Sequence, residues 1–201
     1  MLTVVTAAAT QHLTTLARAK VELGITVSTY DSQITAYISE ASDLIAQYCG
    51  RDGFGRASYQ QTERLTCDQD YILLDRDIAP EITAVTVDGV AVDAADYELD
   101  GSFLYKLTDD ERTYWDAGKT IIEYDAGFEL LGDLPYALER ACLDLVVNLY
   151  RGAGRDSAVR MDSVEGVGST AYFDVRSNAG AMPLSDDRLR ALDRYKVVAV
   201  G

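Results

Sequence analysis

Histidine is nearly absent, with His12 the only one in 201 residues. That excludes a multi-histidine metal site. His12 stands near a helix start with no partner at a suggestive spacing, so no Ser–His–Asp arrangement can be built on it. Cysteine is almost as scarce. Cys49, Cys67 and Cys142 are far apart, odd in number and free of any CxxC pair, a pattern expected of reduced thiols in a cytosolic protein. Cys67 falls in a strand pattern and Cys142 on an apolar helix face, so both read as packing residues, not nucleophiles. No apolar run approaches the ~18 residues a membrane helix needs. The opening MLTVVTAAAT lacks the basic n-region of a signal peptide. Two glycine-rich stretches, GRDGFGRAS and RGAGRD, fail to match GxxxxGK[ST], and each follows a helix where a dinucleotide loop would follow a strand. Asp68, Asp70, Asp75 and Asp77 have the density of a metal loop but lack the later ligand and central glycine of an EF-hand. They read as solvated turn acids. The expectation is a non-enzyme without a cofactor or metal.

Bases are scarce in one region only. The formal net charge is −15, yet residues 1–67 carry six acids and five bases, and residues 134–201 carry nine of each. Residues 68–133 hold eighteen acids and four bases, a net of −14. Such a surface repels a phosphate backbone, because binding one requires clustered Lys and Arg. This argues against a sequence-reading DNA binder, and not against a protein that DNA passes without adhering.

What is present reads as a mixed fold. TTLARAKVELG is a short helix with Leu13, Leu16 and Leu23 on one side and Gly24 as its stop. STYDSQITAYISEASDLIAQYCG follows, with Ser28 and Asp31 as a capping-box-like start and Ile34, Tyr37, Ile38, Ala41, Leu44, Ile45 and Tyr48 at helical spacing. The two predict a helical hairpin. From Ser58 the period alternates. YQQTERLT, YILLD, ITAVTVDGVAV, DYELDGSFLYKL and KTIIEYDAG predict strands, with hairpin turns at Asp88-Gly89 and Asp100-Gly101. Helical spacing returns in DLPYALERACLDLVVNLYRG. Asp133 and Pro135 stand at its start, Leu134, Leu138, Cys142, Leu145, Val146 and Leu149 form its stripe, and Gly152 stops it. The expected fold is therefore α+β: a helical hairpin and a third long helix packed with a small antiparallel sheet. Residues 1–152 form the core domain, with helices over about 13–50 and 134–151 and the β region over about 58–127. Residues 153–201 form an extended arm, in which STAYFDV predicts one strand.

The arm ends in PLSDDRLRALDRYKVV, a helix over about 186–195. Ser185 suits an N-cap, Asp186 and Asp187 favour the first turn, and Arg190, Arg194 and Lys196 suit the last. Leu184 and Leu189 stand at staple positions, and Leu189, Leu192 and Tyr195 form a narrow apolar strip that Val197, Val198 and Val200 extend. A helix of ~10 residues is marginal alone in water. It needs a surface, either its own domain or another chain. The long tether favours another chain, as in helix-in-groove recognition.

Four segments in this order, LARAKVELGI…YDSQITAYISEASDLIAQYCGR, PEITAVTVDGVAVDAADYELDGSFLYKL…KTIIEYDAGF, LPYALERACLDLVVNLYR and VEGVGSTAYFD…LSDDRLRALDRYKVV, resemble the phage head–tail connector, or adaptor, family of siphophage-like particles and gene transfer agents. The resemblance implies a structural protein made in the bacterial cytoplasm and carried in the virion neck. There it would form a ring, commonly of twelve copies, beneath the portal protein. The ring would extend the DNA channel and link the portal to the stopper, with no membrane involved. It further implies that the C-terminal segment reaches the portal, with Leu184, Leu189, Leu192, Tyr195, Val197 and Val198 as anchors and Arg188, Arg190 and Arg194 as a polar rim. Two other readings stand beside it. One is another neck ring, a stopper or tail terminator. The other is a small acidic module that holds a cation or basic ligand at Asp68, Asp70, Asp75 or Asp77.

Overall fold

The computed structural model describes residues 1–130, 132, 134–153, 161–164, 168–171 and 184–197. Two compact units divide the chain: residues 1–10 with 54–129, and residues 11–53 with 130–201.

The first is a sheet unit of nine strands: β1 (Leu2–Thr6), β2 (Ala57–Leu65), β3 (Ile72–Leu73), β4 (Glu81–Val87), β5 (Val90–Ala91), β6 (Tyr97–Asp100), β7 (Phe103–Thr108), β8 (Glu111–Thr113) and β9 (Gly118–Ala126). They form two antiparallel sheets, where the sequence predicted one. The larger has the order β1-β2-β9-β4-β5, and the smaller has β3-β7-β6 with β8 also on β7. The period-2 pattern of β9 explains the core. Thr120, Ile122, Tyr124 and Ala126 are buried in alternation, because successive side chains of a strand leave opposite faces. Ile122, Tyr124 and Ala126 join Ile72, Leu74, Val85, Leu104 and Trp115 in one apolar cluster.

Trp115 and Gln61 have partners in that core, whereas the buried Thr120 Oγ1 makes no hydrogen bond among the described residues. Trp115 Nε1 donates to the Leu104 carbonyl at 3.0 Å. Buried Gln61 donates to the Leu73 carbonyl at 2.9 Å, and its Oε1 accepts from the Asp75 N–H at 2.9 Å and the Tyr124 hydroxyl at 3.1 Å. One glutamine thus ties the edge of the smaller sheet to the centre of the larger.

Turn chemistry follows the sequence with two shifts. Asp88 and Gly89 both take positive φ, 49° and 84°, between the paired Val87 and Val90. The β6–β7 turn lies one residue later than expected, at Gly101-Ser102, because Asp100 pairs with Phe103. The β7–β8 hairpin turns on Asp109-Asp110, both at positive φ (53° and 63°). Aspartate tolerates that region without glycine. Gly127 is required for space as well as for its φ of 113°, since a Cβ there would lie 2.5 Å from the Gly55 carbonyl oxygen.

The helical unit holds α1 (Leu16–Leu23), α2 (Asp31–Tyr48), α3 (Tyr136–Gly152) and α4 (Asp186–Asp193), with a hairpin of β10 (Met161–Val164) and β11 (Gly168–Ala171). The Thr15 side chain caps α1 by accepting from the Arg18 N–H at 3.2 Å, and Gly24 ends the helix in the left-handed region. The start of α2 departs from expectation. Tyr30 is its N-cap with no side-chain cap bond, and Asp31 instead pairs with Lys20 at 2.6 Å. Pro135, predicted in the first turn of α3, is its N-cap. Asp133 lies outside the described residues. Ile34, Ile38 and Ile45 of α2 and Leu138, Leu145 and Val146 of α3 are fully buried or nearly so. Each contributes ~1.5–3 kcal/mol relative to exposure. Leu13 precedes α1 and is buried, its N–H donating to Ser42 Oγ at 3.0 Å. β11 covers the first half of the predicted STAYFDV strand, and Tyr172 to Val175 lie outside the described residues.

Candidate partner interface

The terminal helix is docked on its own unit. Ser185 occupies the N-cap without a side-chain cap bond, and the Leu189 N–H closes the first turn on the Ser185 carbonyl at 3.0 Å. Leu192 has no solvent exposure. The expectation that this strip is left for another chain is therefore corrected at Leu192: an intramolecular groove covers it. A tether permits outward docking but does not exclude folding back. Once a fitting apolar site lies on the same unit, burial of a leucine at ~1.5–3 kcal/mol favours the near surface.

The groove is made by the end of α2. After Gly50 closes that helix with φ 68°, buried Arg51 turns back and its Nε donates to the Tyr195 carbonyl at 2.6 Å. The Val197 N–H donates to the Cys49 carbonyl at 3.0 Å. The Cys49 thiol, pushed up to about 11 by burial, points at the Leu192 carbonyl at 3.8 Å. Around this seam lies a polar clasp. The Tyr48 hydroxyl donates to Asp193 Oδ1 at 2.8 Å, Lys196 pairs with Asp193 at 2.7 Å, and its ammonium sits 4.1 Å from the Tyr48 ring centroid. Lys196 first, and then the Tyr48 hydroxyl, holds the Asp193 carboxyl below its ordinary range. Burial raises Tyr48, with the Asp193 bond acting in the same direction. At the other end of α4, Arg188 Nε pairs with Asp144 at 2.9 Å. Asp144 also takes Arg140 at 2.8 Å, and Arg140 reaches Glu22 at 2.8 Å.

The nine residues predicted to face a partner therefore separate. Leu192 is core. Leu184, Arg188, Leu189 and Tyr195 are half-buried, and Arg190, Arg194 and Val197 are exposed. Val198 lies outside the described residues. Arg190 and Arg194 stand i, i+4 and share one side of the helix, and neither has an acidic partner among the described residues. Tyr48, Cys49 and Arg51 were missed as members of this site. The only signal was an arginine directly after a helix-stopping glycine, in YCGRD.

Other predicted chemistry resolves more simply. Cys142 is buried with its thiol pushed up to about 12, which keeps it protonated and unreactive. Cys67, expected to pack, is exposed just past the end of β2 and accepts from Gln69 Nε2 at 3.1 Å. Its strand had ended two residues earlier. Asp68 accepts from the Ala117 N–H at 3.1 Å, a turn role. Among the described residues, no three His, Cys, Asp or Glu side chains are grouped to hold a metal ion. Among them too, no helix is long and apolar enough to cross a membrane. No curated protein matches the chain. A family model does: Head completion protein, over residues 12–162. That span takes in α1 to α3 and β2 to β9; α4 lies beyond it.

Proposed function

The chain belongs to the head completion protein family and so has a structural role in the phage head and neck; within that role we propose that it is the head–tail adaptor. In this reading, copies form a ring beneath the portal, commonly of twelve, extend the DNA channel and pass the connection on to a stopper. The carrying observation is the family match across both units of the fold. The order of segments through the terminal helix supports the finer assignment. So does the net charge of −14 in residues 68–133, which lets DNA move past without retention.

Burial changes how the terminal segment would meet the portal. Leu192 serves as the internal anchor that fixes α4. The outward side then presents Arg190, Arg194 and Val197, with Leu184, Leu189 and Tyr195 at its margin. Two guanidinium groups without acidic partners among the described residues, that of Arg194 5.9 Å from the Tyr195 ring centroid, suit a portal face carrying carboxylates, since such rim charges set association rate and register. The clean test reverses charge without touching the core. Arg190→Glu with Arg194→Glu is expected to weaken binding to isolated portal rings about tenfold or more while circular dichroism stays unchanged. Undiminished portal binding by that folded variant would contradict the assignment. Deleting residues 183–201 is a poorer test, because it also strips Leu192 from the core.

A further inference from the structure

The outer face of the smaller sheet carries an exposed aromatic cluster. Tyr71, Leu73 and Phe103 are 46%, 38% and 39% exposed. The Tyr71 ring meets Phe103 edge-on at 5.0 Å and Tyr105 at 6.1 Å. Register explains the exposure. Ile72 pairs with Leu104 and both are buried, so Leu73 and its partner Phe103 face outward.

This face already takes one cation from its own chain. The Arg112 guanidinium lies 3.8 Å from the Tyr105 ring centroid, with Glu98 at 3.1 Å and Asp100 at 3.2 Å on its edge. A cation over a ring with carboxylates at its rim is a favourable arrangement. Beside it the Tyr71–Phe103 ring pair has no cation over it among the described residues. Its rings are exposed, and neighbouring Asp70 is exposed with no basic partner.

The matching group stands elsewhere on the same sheet unit. That unit has only six bases. Arg56, Lys106 and Arg112 are in ion pairs, and Arg76 lies over the Tyr59 ring at 5.5 Å. Arg64 of β2 and Lys119 of β9 remain. They are directly opposite in register, both exposed, and neither has an acidic partner among the described residues. Like charges directly opposite on a sheet are destabilising. In a unit carrying eighteen acids, an unrelieved pair of bases is conspicuous.

We propose that the aromatic face of one copy receives the Arg64–Lys119 pair of a neighbouring copy. Arg64 stacks on the Tyr71–Phe103 rings and Lys119 lies toward Asp70. The two surfaces differ, so the contact is heterologous and can repeat around a ring. Two aromatic faces meeting each other would set acids against acids, and DNA would meet the same repulsion. This inference rests on the ring reading above for its occupant.

The test uses the full chain with a benzophenone amino acid in place of Phe103, irradiated at rising protein concentration and low salt. The expected result is a cross-linked pair of chains whose joined peptide lies within residues 57–65 or 118–126. Adding Arg64→Glu with Lys119→Glu, two exposed positions, should lower that yield about tenfold. No inter-chain product, a joined peptide from any other region, or a yield untouched by the double reversal would each overturn the contact. Absence of the chain from purified particles would instead sink the neck role, so the two failures are distinguishable.

Discussion

The helical unit has nearly enough bases to match its acids; the sheet unit has a third as many bases as acids. Residues 11–53 with 130–201 hold fifteen acids and twelve bases, whereas residues 1–10 with 54–129 hold eighteen acids and six bases. In the first, Glu22, Asp31, Glu139, Asp144 and Asp193 all face a cation. In the second, Asp70, Asp109, Asp110 and Glu111 face none among the described residues. Ion pairs in the helical unit lock elements to each other, and surplus acid in the sheet unit is exposed on turns and faces. Unpaired acid therefore dominates the sheet unit, whereas the helical unit leaves exposed arginines as well as acids unpaired among the described residues. Outward, unpaired charge acts on association and solubility more than on the fold.

The sharpest way to break this comparison is to remove an anchor from one unit and watch the other. Trp115 is the only tryptophan and lies in the sheet unit, so its fluorescence reports that unit while helical ellipticity reports chiefly the other. Leu192→Ala should destabilise the helical transition by about 2–5 kcal/mol and leave the Trp115 transition in place. An equal shift in both signals would show that the units unfold as one.

Gln61→Leu is the converse experiment, with a smaller effect. It strips the Leu73 carbonyl, the Asp75 N–H and the Tyr124 hydroxyl of a shared partner. Unsatisfied buried groups cost about 1–3 kcal/mol. Urea unfolding should lower the Trp115 midpoint and spare the helical one. A loss confined to ellipticity would contradict the division.

The smallest effect is one of sign. Asp193 has its carboxyl held below the ordinary 3.8 by Lys196 and Tyr48. Its stabilisation is thus fully present above that value and is lost as pH falls through the lower folded-state value. Acidification through that lower value should therefore reduce the helical thermal midpoint slightly. Added salt should raise the Trp115 thermal midpoint by screening repulsion among the unpaired acids of the sheet unit. Parallel movement of the two midpoints would remove the contrast.

The sequence made the helices legible because their apolar spacing has one period and long range. Ile34 to Ile45 and Leu138 to Leu149 needed no knowledge of partners. Hairpins were legible where glycine announced them, at Asp88-Gly89, and invisible at Asp109-Asp110. β1 was missed because TVVT is too short to show alternation and its partner β2 lies beyond two helices. The terminal helix was legible as a helix, but its destination was not. The groove is built from Tyr48, Cys49 and Arg51, whose convergence depends on how α2 ends. Sequence can show that Leu192 needs cover and cannot show that cover is already at hand. Cys67 illustrates the same limit at two residues' range.

The chain passes between its two units at residues 10, 53 and 129, and β1 pairs with Tyr59, Gln60 and Gln61 across that interruption. During synthesis the first strand emerges with both edges bare and waits while the helical hairpin is made. The larger sheet gains its outer strand only after later segments return, a long loop closure that slows folding. Until then Val4 and Val5 are open to any other unpaired edge, and crowded ribosomes making many copies bring such edges close together.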